Sequence, residues 1–263
     1  MVSPLITPLN QSQSQILTNL QRLSSGQKIN TAADNPAGLA IANLMSSQLD
    51  SQSQAINNTT TGLSVTDTAG GALSQVTENL QSIRELTVQA GNGTLSSADL
   101  QSIHEQIKGY QQNIDAISSN TQFNGQALLD GNFAGQIQIG PNSGDTLSLS
   151  LGNTSSAALG IAGLNLSSAD DITHSLQSID KALGTVDSYQ SSVGANAAGL
   201  NSALSNLSNS YAQLSSSRSQ IQNTDYAETA SNLSASNLKN KAALFALKQY
   251  QEHQKSLTSG LLG

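Results

Sequence analysis

Residues 172–221 read ITHSLQSIDKALGTVDSYQSSVGANAAGLNSALSNLSNSYAQLSSSRSQI, and their spacing decides the fold. The rungs Ile172, Leu176, Ile179, Leu183, Val186, Gln190, Val193, Ala197, Leu200, Leu204, Leu207, Tyr211, Leu214, Arg218 and Ile221 follow one another in alternating steps of four and three. That period keeps one seam turned toward a partner, so the stretch predicts a single long helix in a coiled-coil-like bundle. At about 1.5 Å per residue such a helix spans roughly 75 Å. A rod of that length suits a fibre subunit better than a compact enzyme.

Working outward, the remaining chain supplies partners for this helix. An apolar series at Ile16, Leu17, Leu20 and Leu23 marks a first helix that Gly26 ends. The stretch Asn30-Thr31-Ala32-Ala33-Asp34-Asn35-Pro36-Ala37-Gly38 reads as a loop, with Asn35 held extended by Pro36. A second helix carries Ala42, Met45, Leu49, Gln52, Ile56, Thr59 and Leu63, and a third stretch carries Leu73, Val76, Leu80, Ile83, Thr87 and Ala90. Gly91-Asn92-Gly93 breaks the pattern, and Ser96 or Ser97 caps a further helix with its seam at Leu100, Ile103, Ile107, Tyr110, Ile114 and Ile117. Two such helices joined by a short Gly-containing turn form an antiparallel hairpin.

From Thr121 to about Leu166 the seven-residue period is lost. Gln136-Ile137-Gln138-Ile139 and Leu147-Ser148-Leu149-Ser150-Leu151 alternate instead, on either side of the turn signal Pro141-Asn142-Ser143-Gly144, which predicts a β-hairpin. Asp170 and Asp171 are read as the N-terminal cap of the long helix. After Ile221 a last helix is expected, carrying Leu233, Leu238, Leu244, Leu247 and Leu257 and ending in Leu261-Leu262-Gly263. The expected fold is mainly α: long antiparallel heptad helices form a rod-like bundle with a small β-hairpin region in mid-chain, and the N- and C-terminal helices pair at one end. That terminal pair buries little. Ordering costs roughly 1.5 kcal/mol per residue, against about 1.5–3 kcal/mol returned by each fully buried Leu. Leu17, Leu20, Leu23, Leu244 and Leu247 therefore have too little chain around them to be covered within one molecule, and are expected to order and bury against neighbouring copies.

Composition excludes several classes. Only 10% of the 263 residues are charged, where about a quarter is usual. Ser, Asn, Gln and Thr cover the polar faces, and such faces enter an assembly without stripping charges of water. A net charge of −7 argues against nucleic acid, which needs a basic footprint. There is no run of 18 apolar residues to span a membrane, and no usual cleavable secretion signal is expected at the N-terminus. Zero Cys excludes disulfides and thiolate metal sites. His104-Glu105 opens like a zinc-protease motif, but Lys108 stands where the second His is required. His104, His174 and His253 are far apart, and Gly91-Asn92-Gly93 and Asp130-Gly131-Asn132 lack the Lys-Ser/Thr of a phosphate loop. No catalytic, metal or cofactor site is indicated.

Several ordered motifs resemble the bacterial flagellins. They are Leu17-Thr18-Asn19-Leu20-Gln21-Arg22-Leu23-Ser24-Ser25-Gly26, Ala33-Asp34-Asn35-Pro36-Ala37-Gly38-Leu39-Ala40-Ile41-Ala42, Ile83-Arg84-Glu85-Leu86-Thr87-Val88-Gln89-Ala90, Thr121-Gln122-Phe123-Asn124-Gly125, Ser217-Arg218-Ser219-Gln220-Ile221 and Asp225-Tyr226-Ala227. The resemblance implies a subunit that polymerises into the extracellular flagellar filament for motility. The hook–filament junction protein, with similar terminal segments, is the alternative. It further implies an inner-tube domain, D0, from residues 1–43 and 220–263. A rod domain, D1, follows over 44–219, with its hairpin region at about 121–166 and without the outer D2 and D3 domains that many members insert. Asn30, Asp34, Asn35, Pro36 and Gly38 would form the connector that sets the angle between the two layers.

The same resemblance implies further partners: the type III export apparatus, an export chaperone on the C-terminal segment, and hook-associated and cap proteins. In the returning rod the family's Gln-Asn-Arg is missing from Val193-Gly194-Ala195-Asn196-Ala197-Ala198-Gly199-Leu200, which puts contacts made by that Arg in doubt. The surface read by Toll-like receptor 5 uses an Arg, a Leu and a Glu, and these fall on Ser82, Leu86 and Gln106. Only the Leu is kept, which implies weak receptor activation or none. Flagellins are often O-glycosylated, which makes Ser143, Thr146, Thr154, Ser155 and Ser156 candidate acceptors.

Overall fold

The computed structural model of the chain describes residues 3–261, with side chains from 6 to 259; Leu262 and Gly263 of the expected C-terminal end lie outside them. The order is α1 (Ser3–Ser25), α2 (Pro36–Ala90), α3 (Ser97–Asn120), β1 (Gln122–Phe123), β2 (Gln126–Ala127), β3 (Ala134–Gln138), β4 (Thr146–Ser150), α4 (Ala169–Gln222) and α5 (Tyr226–Leu261). The chain forms two compact units: one joins residues up to Leu49 with those from Ala212, and the other is Asp50–Tyr211. The divisions fall a turn or two inside the helices from the expected 43/44 and 219/220.

The helices α2 to α5 each begin on a residue suited to receive free N–H groups. Asn35 Oδ1 accepts the Gly38 N–H at 2.9 Å, with Pro36 at the first helical position of α2, where a missing N–H costs nothing. Ser96 and Asp99 form a reciprocal capping box on α3. The cap of α4 is Ser168, whose Oγ accepts the Asp171 N–H at 3.1 Å and donates to the Asp171 carboxylate at 2.6 Å. This corrects the assignment of Asp170 and Asp171 as the cap, since Asp171 is the reciprocating partner one turn in. Asp225 Oδ1 accepts the N–H groups of Ala227 and Glu228 at the start of α5.

In the Asp50–Tyr211 unit, α2, α3 and α4 enclose one core that runs from Val65, Leu73, Leu80 and Ile83 across Ile103, Ile107 and Ile114 to Ile172, Ile179 and Val186. The heptad ladder is read in two halves. Ile172, Ile179, Val186, Val193, Leu200 and Leu207, seven apart, are all buried, while the alternate rungs Leu176, Leu183, Gln190, Ala197 and Leu204 are half-buried and Tyr211 is exposed. The buried hydroxyls of Thr59 and Thr87 donate to carbonyls four residues back, so burial leaves them satisfied.

Two expectations are corrected. The second helix and the third stretch are one 55-residue helix, α2. Gly62 lies within it, at a point where a Cβ would stand 2.5 Å from Ile137 Cδ1 and 3.3 Å from Leu200 Cδ1. The glycine is a place of close approach, where hairpin and α4 press on α2. The mid-chain region also holds two hairpins. The expected one is β3–β4, in register Ala134↔Ser150 to Gln138↔Thr146. The other, β1–β2, turns through Asn124 (φ 51°) and Gly125 (φ 77°), a two-residue loop with both central residues left-handed.

Candidate assembly surface and connector

The unit containing both termini is built around a heptad seam on each terminal helix. On α1 the seam is Leu9, Ser12, Ile16, Asn19 and Leu23; on α5 it is Thr229, Leu233, Ser236, Asn240, Ala243, Leu247 and Tyr250. The polar members Ser12, Asn19, Thr229 and Ser236 are buried, and the apolar members are half-buried. Asn240 Nδ2 donates to Ser12 Oγ at 3.1 Å, and Ser12 Oγ donates to the Leu9 carbonyl at 3.0 Å.

Outside the seam, large apolar side chains are bare. Leu17 is 68% exposed, Leu238 70% and Phe245 65%, with Ile6, Leu20, Ile41, Leu44, Leu244 and Leu257 also exposed. Of the five leucines assigned to contact between copies, Leu17, Leu20 and Leu244 are exposed, and Leu23 and Leu247 are half-buried on the seam. Arg22 Nε is buried without a hydrogen-bond partner among the described residues. An acceptor brought by another molecule would complete it.

The connector residues are placed together by hydrogen bonds. Gly26, at φ +71°, closes α1 with its N–H on the Arg22 carbonyl, and the Tyr226 hydroxyl rests against it. Residues 26–28 then pair with 222–224: Lys28 N–H donates to the Gln222 carbonyl at 2.8 Å and Thr224 N–H to the Gly26 carbonyl at 2.9 Å. Asp34 Oδ2 accepts the N–H groups of Asn30 and Thr31 and the Thr31 hydroxyl at 2.9–3.0 Å. The Thr31 and Asn30 N–H groups and then the Thr31 hydroxyl hold this carboxyl below the ordinary carboxylate range. Asn30 Nδ2 bonds the Gln27 carbonyl, and Gly38 is buried where a Cβ would meet Ile29 and Asn35. The sequence placed all five in one loop, whereas Pro36 and Gly38 lie in the first turn of α2; the pairing of residues 26–28 with 222–224 is a long-range contact that no local pattern announces.

The receptor-surface positions lie on α2 and α3. Ser82 Oγ is turned to its own helix, bonding the Glu78 carbonyl; Leu86 packs against the core, and Gln106 is exposed. The neighbouring Arg84 is paired with Asp180 at 2.8 Å. Among the proposed glycan acceptors Ser143 and Thr146 are exposed and Ser155 half-buried. Thr154 and Ser156 are corrected: Thr154 is fully buried, and Ser156 is buried with its hydroxyl on Asp115 Oδ2, so neither presents a free hydroxyl in the fold.

Charge is divided unevenly. The terminal unit holds seven Lys or Arg against four Asp or Glu, a net of +3, and the Asp50–Tyr211 unit holds three against thirteen, a net of −10. Among the described residues no group of three or more His, Asp or Glu could hold a metal, and no helix is long and apolar enough to cross a membrane.

Long capped helices on heptad seams, joined through a small β-hairpin region, define a mainly α structural protein. Residues 3–134 match the bacterial flagellin N-terminal helical region and residues 176–261 the bacterial flagellin C-terminal helical region, so the chain belongs to the bacterial flagellin family, whose members are structural proteins and not enzymes. It is similar to a flagellin of Shigella flexneri, 42% identical over 170 residues that make up 65% of this chain and 31% of the relative. Against an Escherichia coli flagellin the match covers 34% of the relative, so the chain spans about a third of the length of these curated relatives. Its fold is similar to the crystal structure of Bacillus cereus flagellin, with TM-score 0.53 and 28% identity over 57% of this chain and 88% of that one. A Vibrio parahaemolyticus chain described as flagellar hook-associated shares the fold, with TM-score 0.62 and 15% identity over 72% of this chain and 100% of that one.

Proposed function

We propose that this chain is a subunit of the extracellular flagellar filament, polymerising with copies of itself to serve motility. The observation that carries the reading is the inverted burial of the terminal helices, where serines and asparagines are covered while Leu17, Leu20, Leu238, Leu244 and Phe245 are bare. Bare large apolar side chains on both terminal helices favour association, and covering each such leucine returns about 1.5–3 kcal/mol. In this reading the terminal unit is the inner D0 layer, the Asp50–Tyr211 unit is the rod layer D1, and neighbouring subunits cover the bare apolar side chains of α1 and α5. The unpartnered Arg22 Nε receives its acceptor from a neighbouring subunit. Asn30, Asp34, Asn35, Pro36 and Gly38 set the angle between layers. An export chaperone on the C-terminal segment, the type III export apparatus, and hook-associated and cap proteins complete the set of partners. Toll-like receptor 5 is activated weakly or not at all, because Ser82 and Gln106 lack the charges the receptor surface uses and Arg84 is engaged by Asp180.

Electron microscopy of the purified protein after seeding tests the reading. Long uniform filaments support it. Short ring-like stubs move the assignment to the hook–filament junction, the second reading favoured by the shared fold of the hook-associated chain. A persistent monomer rejects both.

A further inference from the structure

We propose that Ser12 and Asn240 form the register lock of the terminal helix pair: they fix α1 on its own chain's α5 in one antiparallel alignment and so hold the leucine-bearing faces outward. The proposal rests on the filament reading only for the use made of those faces.

The seam of α1 repeats as Leu9, Ser12, Ile16, Asn19 and Leu23, and that of α5 as Thr229, Leu233, Ser236, Asn240, Ala243 and Leu247. Seven-residue periodicity leaves helix pairs open to slipping by whole heptads, because each slip again places apolar rungs near apolar rungs. A buried polar rung removes that freedom, since displacing it from its partner leaves a desolvated amide or hydroxyl unbonded. Ser12 meets this description, with the half-buried Asn240 as its cross-helix partner. Ser12 is 4% exposed and its hydroxyl is used twice, donating to the Leu9 carbonyl and accepting from the Asn240 amide. Asn19 and Ser236 are also buried on the seam, but Ser236 bonds the Asn232 carbonyl of its own turn and carries no cross-helix information. Among the hydrogen bonds described between the two helices, Asn240–Ser12 is thus the one that reports alignment. It lies about four turns from the pairing of residues 26–28 with 222–224, so the pair is fixed at two separated points.

Outside the seam the exposed apolar side chains differ in placement: at about 100° per residue Leu17 and Leu20 flank the α1 seam, whereas on α5 Leu244 flanks the seam and Leu238 and Phe245 lie on the opposite face. A slip by one heptad costs the hydrogen bond at the buried Ser12 hydroxyl.

The chain has no Cys, so paired spin labels on Gln21→Cys and Gln249→Cys, both exposed and far apart along the pair, report alignment in the full-length protein. With Ser12 and Asn240 in place one distance is expected. Replacing both by Leu is expected to raise helicity while adding a second distance displaced by up to about 10 Å, the length of one heptad. The reciprocal exchange S12N/N240S, which restores the hydrogen bond, is expected to return a single distance; S12A/N240A, which keeps the seam small, is expected to broaden it. A single unchanged distance in the Leu and Ala variants overturns the proposal, as does failure of the exchanged pair to restore one. Microscopy of the same samples separates this from the filament reading: a single distance in a parent that never polymerises fails that reading and leaves the lock standing.

Discussion

Asp34 shows how one side chain organises the connector. Its carboxylate gathers two N–H groups and a hydroxyl from Asn30 and Thr31, and these hold its proton affinity down. A carboxyl depressed in the fold adds stability that is fully present above its unfolded pKa, near 3.9, and that is lost as pH falls through its lower folded value. At neutral pH the loop is therefore intact, and acidification below about pH 4 releases it. D34N removes the charge while keeping the shape, so hydrogen exchange at the Asn30 and Thr31 amides is expected to rise severalfold, with exchange in 50–211 unchanged. Gly26 offers a second test. Its left-handed φ and the Tyr226 hydroxyl, 3.0 Å from where a Cβ would stand, make G26A cost about 1–2 kcal/mol, readable in thermal unfolding of the terminal unit. Of these residues the sequence marks Gly26 as a helix stop and Asp34-Asn35-Pro36 as a turn. It does not mark Tyr226, because the contact joins positions two hundred residues apart.

At the scale of elements, capping was legible at Ser96 but not at Ser168, which the sequence reading passed over for Asp170 and Asp171. Ser168 and Asp171 satisfy each other's groups at the start of a 54-residue helix. S168A is expected to cost about 0.5–2 kcal/mol, or roughly 2–4 °C of melting temperature per kcal/mol in a unit of this size, by calorimetry. The long ladder and the β3–β4 hairpin were legible because period seven and period two each persist over several repeats. The β1–β2 hairpin was not, because two residues per strand give no alternation to read, although Asn124-Gly125 carries the turn chemistry. The continuity of α2 was also hidden. Its seam was read as two separate runs, ending at Leu63 and resuming at Leu73, although the helix is continuous through both. The polar members of the terminal seams gave no signal: the leucines carry the apolar pattern, whereas burial within the pair follows Ser12, Asn19, Thr229 and Ser236.

For the whole molecule, the division into two units predicts separable behaviour. Removing residues 240–263 takes away Asn240, Leu244 and Phe245 and leaves the Asp50–Tyr211 core intact. Polymerisation is expected to fall below detection by sedimentation, while unfolding of the remaining core shifts by no more than about 1 kcal/mol. Normal filaments from the truncated chain would remove the terminal helices from the assembly account. That assembly involves the termini at all was inferred from leucines without enough chain to cover them, and the exposure of Leu17, Leu20 and Leu244 supports that inference.

The net charge of the chain has a consequence for the proposed polymer as a material. Every copy would add a net formal charge of −7, so a filament built from it would be a polyelectrolyte whose charge grows in proportion to its length. In dilute salt, where the Debye length reaches about 30 Å, neighbouring filaments repel and stay dispersed. At about 0.15 M the range of that repulsion shrinks to roughly 8 Å. Whether such filaments run singly or gather into bundles is then set by the ions of the surrounding water.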